Sequence, residues 1–334
     1  KIAVTLNDFM HPLATGEIEM NVSFEEYEEL PYRIEQENIG GIDYTFVYFG
    51  RYPQTYVGDE LNTMLENLFD TSSSSLVATG KTYTAYDAGV PKTPYLEYEY
   101  NGEKYVRIPE ADLRDRGAKT FNDGTLIVNL ETYWFKVEPI QWRVLTRNYT
   151  DTENTTPVSY LLSEFCLTDN VSFNKNADDT NSIYYSAETN ILRPFLNEVF
   201  YSDAFTTEEK ELIIQRTLTD GDLNASGVST EPLNVFVPTY YDMLEPDYGF
   251  NETSNNYDQQ RRASVTDFAM ANYADKTTNN YQDIHGMQTS TYWLSTAWFE
   301  GFAYAVSNLG TMAGSAVDNA STAVRPALLF NLGV

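Results

Sequence analysis

The C-terminal stretch 291–334 most constrains what this chain can fold into. It opens with Thr291-Tyr292-Trp293-Leu294 and closes with Val324-Arg325-Pro326-Ala327-Leu328-Leu329-Phe330. Both ends are aromatic and aliphatic, as strands in a packed sheet are. Between Ser295 and Ala323 there is no lysine or arginine, and the acids there are Glu300 and Asp318. Trp298, Phe299, Phe302, Tyr304 and Met312 lie among small polar residues without a sustained strand or helix period. Gly301, Gly310 and Gly314 punctuate the run. The pattern predicts a loop-rich surface held between two core strands, with the composition of an adaptable binding face. Trp293 reads as core. Trp298, Phe299, Phe302 and Tyr304 include exposed rings, which bury large area on binding at low entropic cost.

The 334 residues can bury a large core in one or two domains. With 49 acids against 21 bases the net charge is -28, which repels a phosphate backbone and argues against nucleic acid as a partner. The 26 tyrosines suit a β-rich extracellular, cell-surface or virion protein. Cys166 is the one cysteine, so no internal disulfide forms. No apolar run has the length of a transmembrane helix.

Residues 1–40 read as an N-terminal acidic arm, with eight glutamates from Glu17 to Glu37 and a short amphipathic helix from the spacing of Phe24, Tyr27 and Leu30. Residues 41–334 read as the folded domain. Ile42 to Gly50 alternates like a strand, and residues 58–70 have helical spacing. Tyr95–Tyr100 and Lys104–Ile108 flank Asn101-Gly102, a hairpin turn. Pro139–Leu145 and Ser159–Leu167 are strands. A helix is expected from about Leu192, with Pro194 in its first turn. Thr206 with Glu209 makes a capping-box pattern. Asn234–Thr239 reads as a short strand and Arg261–Tyr273 as a helix.

These pieces resemble, in order, a bacterial domain family of unknown function found in gut bacteria and their phages. The matching runs are Phe49-Gly50-Arg51-Tyr52-Pro53-Gln54, Pro139-Ile140-Gln141-Trp142-Arg143-Val144-Leu145 and Leu161-Leu162-Ser163-Glu164. They continue with Leu192–Phe200, Ala204–Lys210, Val235–Pro238, Tyr292–Leu294 and Val324–Leu328. Residues 55–136 read as an inserted β-rich segment. The resemblance implies an α+β class and a C-type lectin-like fold, in the branch of the formylglycine-generating enzyme. It also implies a variable region, about 291–330, of the kind that diversity-generating retroelements rewrite. Trp293, Leu294, Ala303, Val306, Gly310, Val317 and Val324–Ala327 would then be fixed positions. Relatives usually carry arginine after Trp-Leu, where this chain has Ser295. The variable positions so implied are Trp298, Phe299, Glu300, Phe302, Tyr304, Leu309, Thr311, Met312 and Ser315; Thr296, Asp318 and Asn319 of the same segment complete the expected ligand-contacting set.

Enzymatic chemistry finds little footing. Cys166 stands alone in an apolar run and reads as packing. His11 and His285 read as solvated loop residues, with no nucleophile motif beside them. Acids are so abundant that no carboxylate pair stands out. Asp220, Asp222, Asn224 and Glu231 fall at positions 1, 3, 5 and 12 of a calcium loop. However, Ala225 occupies the glycine position, and the plain reading is a polar turn. The sequence therefore predicts a non-enzymatic protein that requires no cofactor, with calcium at that loop as the alternative to a plain turn. Its C-terminal face binds a protein or a surface glycan, with a fixed structural or adhesin contact in a cell envelope or virion as the alternative.

Overall fold

Strand β10 (Tyr133–Tyr149) is the spine of the molecule. Three strands pair along its length, all antiparallel. Its N-terminal end meets β7 (Glu103–Ile108), its middle meets β2 (Ile42–Tyr56), and its C-terminal end meets β11 (Val158–Ser163). The computed structural model describes residues 30–332 apart from 88–89, 114–118, 176–188, 226–229 and 275–280. Pro31–Val334 form one compact unit, and Lys1–Leu30 fall outside it. The helix expected around Tyr27, and His11, lie outside the described residues.

The hairpin of β1 (Arg33–Ile39) with β2 starts the main sheet, so residues 33–39 belong to the folded unit rather than to an arm. From the N-terminal end of β10 the sheet runs through β7 and β6 (Tyr95–Tyr100) to β3 (Val77–Tyr83). From its C-terminal end it runs through β11 and β16 (Ala327–Phe330) to β12 (Ile213–Ile214). Residues 55–136 thus add strands to the same sheet. They also supply helix α1 (Asp59–Asp70) and the two-residue strands β4 (Tyr86–Asp87), β5 (Val90–Pro91), β8 (Lys119–Thr120) and β9 (Leu126–Ile127). A separate three-stranded sheet comprises β13 (Tyr292–Phe299), β14 (Phe302–Val306) and β15 (Met312–Ala316).

Helices are short. Leu192 opens a run of α2 (Leu192–Pro194), a π-helical stretch (Phe195–Phe200) and α3 (Tyr201–Ala204). It is followed by α4 (Thr207–Lys210), α5 (Asp220–Leu223) and α6 (Asp267–Ala271). The helix expected over Arg261–Tyr273 is reduced to α6. Thr266 caps α6 by accepting from the Ala269 N–H. Before it, the buried Arg261 guanidinium donates to the carbonyls of Met243, Thr253, Gly310 and Asn251, which fixes an irregular path. The strand expected over Asn234–Thr239 is a single bridge, Phe236 to Ala327.

The expected α+β, C-type lectin-like fold is corrected by this architecture. Strands take 40% of the structure and helices 16%, in several antiparallel sheets, so the chain is mainly β. The helix pattern over Arg261–Tyr273 yields little more than one turn because the buried Arg261 side chain, not a helix ladder, satisfies the neighbouring backbone.

The motif residues turn out to hold one another. Gly50, at φ +62°, is the extra residue of a bulge in β2, where the pairing shifts between Pro139 to Arg51 and Ile140 to Phe49. Its N–H donates to Glu209 Oε1 at 2.7 Å. Glu209 Oε2 accepts from the Thr206 N–H, completing the capping box of α4. A Cβ on Gly50 would lie 2.5 Å from the Phe205 ring. Gln54 Nε2 donates to the carbonyls of Glu138 and Pro139. The Asn197 amide holds Asn234 and Val235. Each run is therefore one half of a tertiary contact.

Gly50→Ala combines a left-handed φ with overpacking against Phe205, and is expected to destabilise the protein by about 3 kcal/mol. Denaturant unfolding should show the lower midpoint with an unchanged slope.

Candidate binding face

The three-stranded sheet β13–β15 grows out of the core. Tyr292, Trp293 and Leu294 are fully buried. The Trp293 N–H donates to Ala323 O, and its indole N–H to Val171 O at 3.3 Å. Ser295 is buried, with its N–H on Pro238 O. Past Ala297 the strand leaves the core, and Trp298 and Phe299 are 41% and 49% exposed. Pairing shifts between Trp293 and Ala297, and again between Ala297 and Phe299. These irregularities erase the period-2 signal, so strands stand where loops were expected. Small residues on both faces of β14 and β15 remove the rest of the contrast.

Six aromatic rings form a ladder on this sheet. Tyr241 meets Tyr240 with centroids 5.5 Å apart, and Tyr240 meets Tyr304 at 4.3 Å. Tyr304 is 6.0 Å from Trp298, which touches Phe299 at 4.8 Å and Phe302 at 6.1 Å. Phe299 stacks on Phe302 at 4.6 Å. Trp298 lies directly over Gly314, where any Cβ would overlap its ring. Tyr240 and Tyr241, the latter 49% exposed, were not among the sequence candidates. The tyrosine pair closing Val235-Phe236-Val237-Pro238-Thr239 was the available signal.

The other predicted contact residues divide. Glu300 and Asp318 are exposed, and Phe302, Tyr304, Leu309, Thr311, Ser315 and Asn319 are half-buried. Thr296 and Met312 are buried and face no ligand. Thr296 Oγ1 donates to Asp222 O at 2.6 Å and accepts the Tyr240 N–H, which ties β13 to the segment bearing the tyrosines. The Met312 N–H donates to Ser254 O. On the opposite side of β14–β15 lies an uncharged cleft of about 380 Å³, lined by residues such as Thr291, Ala305, Ala313, Ser315 and Asn319. Its hydroxyls are partly paired with one another, as Ser315 Oγ with Thr322 Oγ1 at 3.0 Å.

A buried charge network lies beneath the face. Arg143 forks onto Glu164 at 2.5 and 2.8 Å, with both side chains nearly inaccessible. His285 Nε2 sits 3.1 Å from Glu164 Oε1, so His285 is not the solvated residue expected from its turn sequence. Arg143 also donates to Gln260 O. Arg325 donates to the carbonyls of Ser163 and Arg261. Arg216 pairs with Asp242 at 2.9 Å, and Tyr160 donates to the same carboxylate. Burial works to raise the Glu164 pKa, but the Arg143 charge and the bonds from His285 and Arg143 outweigh it and hold the carboxyl far below its ordinary range. Burial works to lower His285, yet the bond and charge of Glu164 leave it raised.

The sequence-predicted calcium positions take up other contacts. Asp220 and Asp222 sit in α5, whose Thr219 cap binds the Asp222 carboxylate at 2.8 Å. Asn224 ends the helix at φ 54°, with its amide on Ala297 O at 3.4 Å, and Glu231 lies beyond the four residues outside the described set. Among the described residues no group of three or more His, Cys, Asp or Glu side chains is placed to hold a metal. Cys166 is fully buried, just past β11, and burial pushes its thiol up to about 12, away from nucleophilic use at neutral pH. Among the described residues no helix is long and apolar enough to cross a membrane.

A family model described as a domain of unknown function (DUF6273) matches residues 146–332, which include the face and most of the motif runs. No curated protein and no solved structure matches the chain.

Two outcomes test the buried network. Glu164→Gln leaves Arg143 buried without its counter-charge and is expected to cost about 3–5 kcal/mol. Stability should also fall on both sides of neutrality. The depressed carboxyl contributes above the ordinary Glu value and is lost as pH drops. The raised imidazole contributes fully below the ordinary His value and is lost as pH climbs through its folded pKa. Chemical denaturation across pH should show His285→Asn flattening the alkaline limb and shrinking the acid limb without abolishing it, since Arg143 still holds Glu164 down.

Proposed function

Because the chain belongs to the DUF6273 family, which brings no activity with it, we propose from the geometry that it is a non-enzymatic ligand-binding protein. The aromatic ladder on β13–β15 is its binding surface, and the ligand is a macromolecule. One observation carries the reading. Trp298 and Phe299 stay 41% and 49% exposed while packed against each other and against Phe302, in a protein that buries most of its large apolar side chains. Adjacent exposed rings on a rigid sheet, surrounded by small residues, have the composition of an interaction hot spot.

The reading extends to how the face is specified. The positions that the resemblance marks as fixed, Trp293, Leu294, Ala303, Val306, Gly310, Val317 and Val324–Ala327, are all buried. Of Trp298, Phe299, Glu300, Phe302, Tyr304, Leu309, Thr311, Met312 and Ser315, all but Met312 reach the surface. A backbone held by the first set, with specificity written in the second, is what a retroelement-diversified receptor requires. This supports diversification of residues 291–330. DNA beside the gene should then contain a near-copy of those codons that differs mainly at adenines, next to a reverse transcriptase; a locus with neither removes this extension.

Replacing Trp298 and Phe299 with Ala is expected to leave the melting temperature within a few degrees, since both rings are half in water. The same change should weaken ligand binding by 2 kcal/mol or more, about thirtyfold or beyond. Undiminished binding by the folded double variant would falsify the assigned face. Concentration-dependent self-association of the wild type, lost in the variant, would point to the fixed structural contact.

A further inference from the structure

Building on that reading, we infer that the ladder receives a basic segment of a partner protein, one presenting arginine or lysine side chains to the rings. The charge distribution is the first reason. The stretches that build the ladder are 239–248 and 292–306, and neither contains a lysine or arginine. Extending them to Thr217–Gln260 and Ser295–Ala323 still adds none, while the first of these carries eight acids. Glu300, next to Phe299 in sequence, is exposed, and so are Asp247 and Asp318 in the segments that follow the tyrosine pair and β15. Of the arginines flanking the first stretch in sequence, Arg262 is half-buried, donates to the carbonyls of Leu309 and Gln282 and lies over Tyr281, and the other two are withdrawn. Arg216 is buried on Asp242, and Arg261 is buried on backbone carbonyls.

The second reason is what this chain does with its other rings. Arg107 lies 4.2 Å over Phe69, Arg33 lies 4.4 Å over Tyr48, and Lys210 lies 4.9 Å over Tyr201. Among the described residues no such cation covers Trp298, Phe299, Phe302, Tyr304, Tyr240 or Tyr241. The ladder therefore offers π faces, Trp among them, with Glu300 beside them and, among the described residues, no cation of this chain over the rings. Such a surface attracts a guanidinium or ammonium through the ring quadrupole. The net charge of -28 steers a basic partner toward it and repels an acidic one. A neutral saccharide gains nothing from this net charge, and an anionic one is repelled by it.

The test pans random peptides displayed on phage against the full chain and, in parallel, against Trp298→Ser/Phe299→Ser, whose net charge is the same. Circular dichroism and melting first establish that the variant is folded; if it is not, Trp298→Ala and Phe299→Ala are used singly. The wild-type pool is expected to be enriched in arginine and lysine over the input library. Its recovery should fall about tenfold on the variant and about tenfold on raising salt from about 0.05 to about 0.5 M. A pool that needs the two rings but has no basic enrichment overturns this inference and leaves the proposed function standing. A basic pool held equally by the variant reflects bulk charge alone and overturns both. Selection of no peptide, with ring-dependent binding on an array of neutral glycans, assigns the ladder to saccharide and overturns the basic partner.

Discussion

The Arg143–Glu164 pair is the interaction on which the rest of the structure depends. Arg143 belongs to the spine strand β10, and Glu164 follows β11 directly. Two full charges in a dry interior are costly unless every donor and acceptor is satisfied. Here the fork is completed by His285 on one oxygen of Glu164 and by the Gln260 carbonyl on the guanidinium. Gln260 and His285 belong to irregular segments far apart in sequence, so one ion pair fixes both to the sheet. Arg325 extends the arrangement by bonding the carbonyls of Ser163 and Arg261. Arg261 in turn reaches Gly310, between β14 and β15. A chain of guanidinium contacts therefore leads from the central sheet to the frame of the aromatic face.

That arrangement gives the sequence motifs their meaning. Gly50 with Glu209, Arg143 with Glu164, and Asn197 with Val235 are contacts between runs distant in sequence. They make each of these runs one half of a tertiary contact in this chain. Chemistry, if sought in the motifs, is sought in the frame. The exposed rings lie outside most of these runs, on residues whose side chains the backbone does not need.

Much of the fold was legible where local and tertiary preferences agree. Helix α1, the Asn101-Gly102 hairpin, the capping box at Thr206 and the strands through Trp142 and Leu161 all appear where spacing and turn chemistry put them. Legibility failed where tertiary polar contacts set the backbone. Arg261 reads as a helical residue but gathers four carbonyls. His285 sits in a polar turn sequence yet reaches Glu164, a partner 121 residues away that no local pattern reveals. Thr296 looks like a surface threonine and is a buried tie between two segments. The aromatic character of the face was legible in composition, but its strands were not, because bulges and small residues remove alternation. Tyr240 and Tyr241 join the ladder only through three-dimensional proximity to Tyr304.

The indole of Trp298 rests on the bare backbone of Gly314, with no room between them for even a methyl group. Ring and glycine therefore share a single volume. A side chain at 314 needs a smaller neighbour at 298, and a smaller residue at 298 opens a furrow that 314 can fill. The two positions are not free letters of an alphabet but one compound character, and any repertoire carried by this sheet must spell them together.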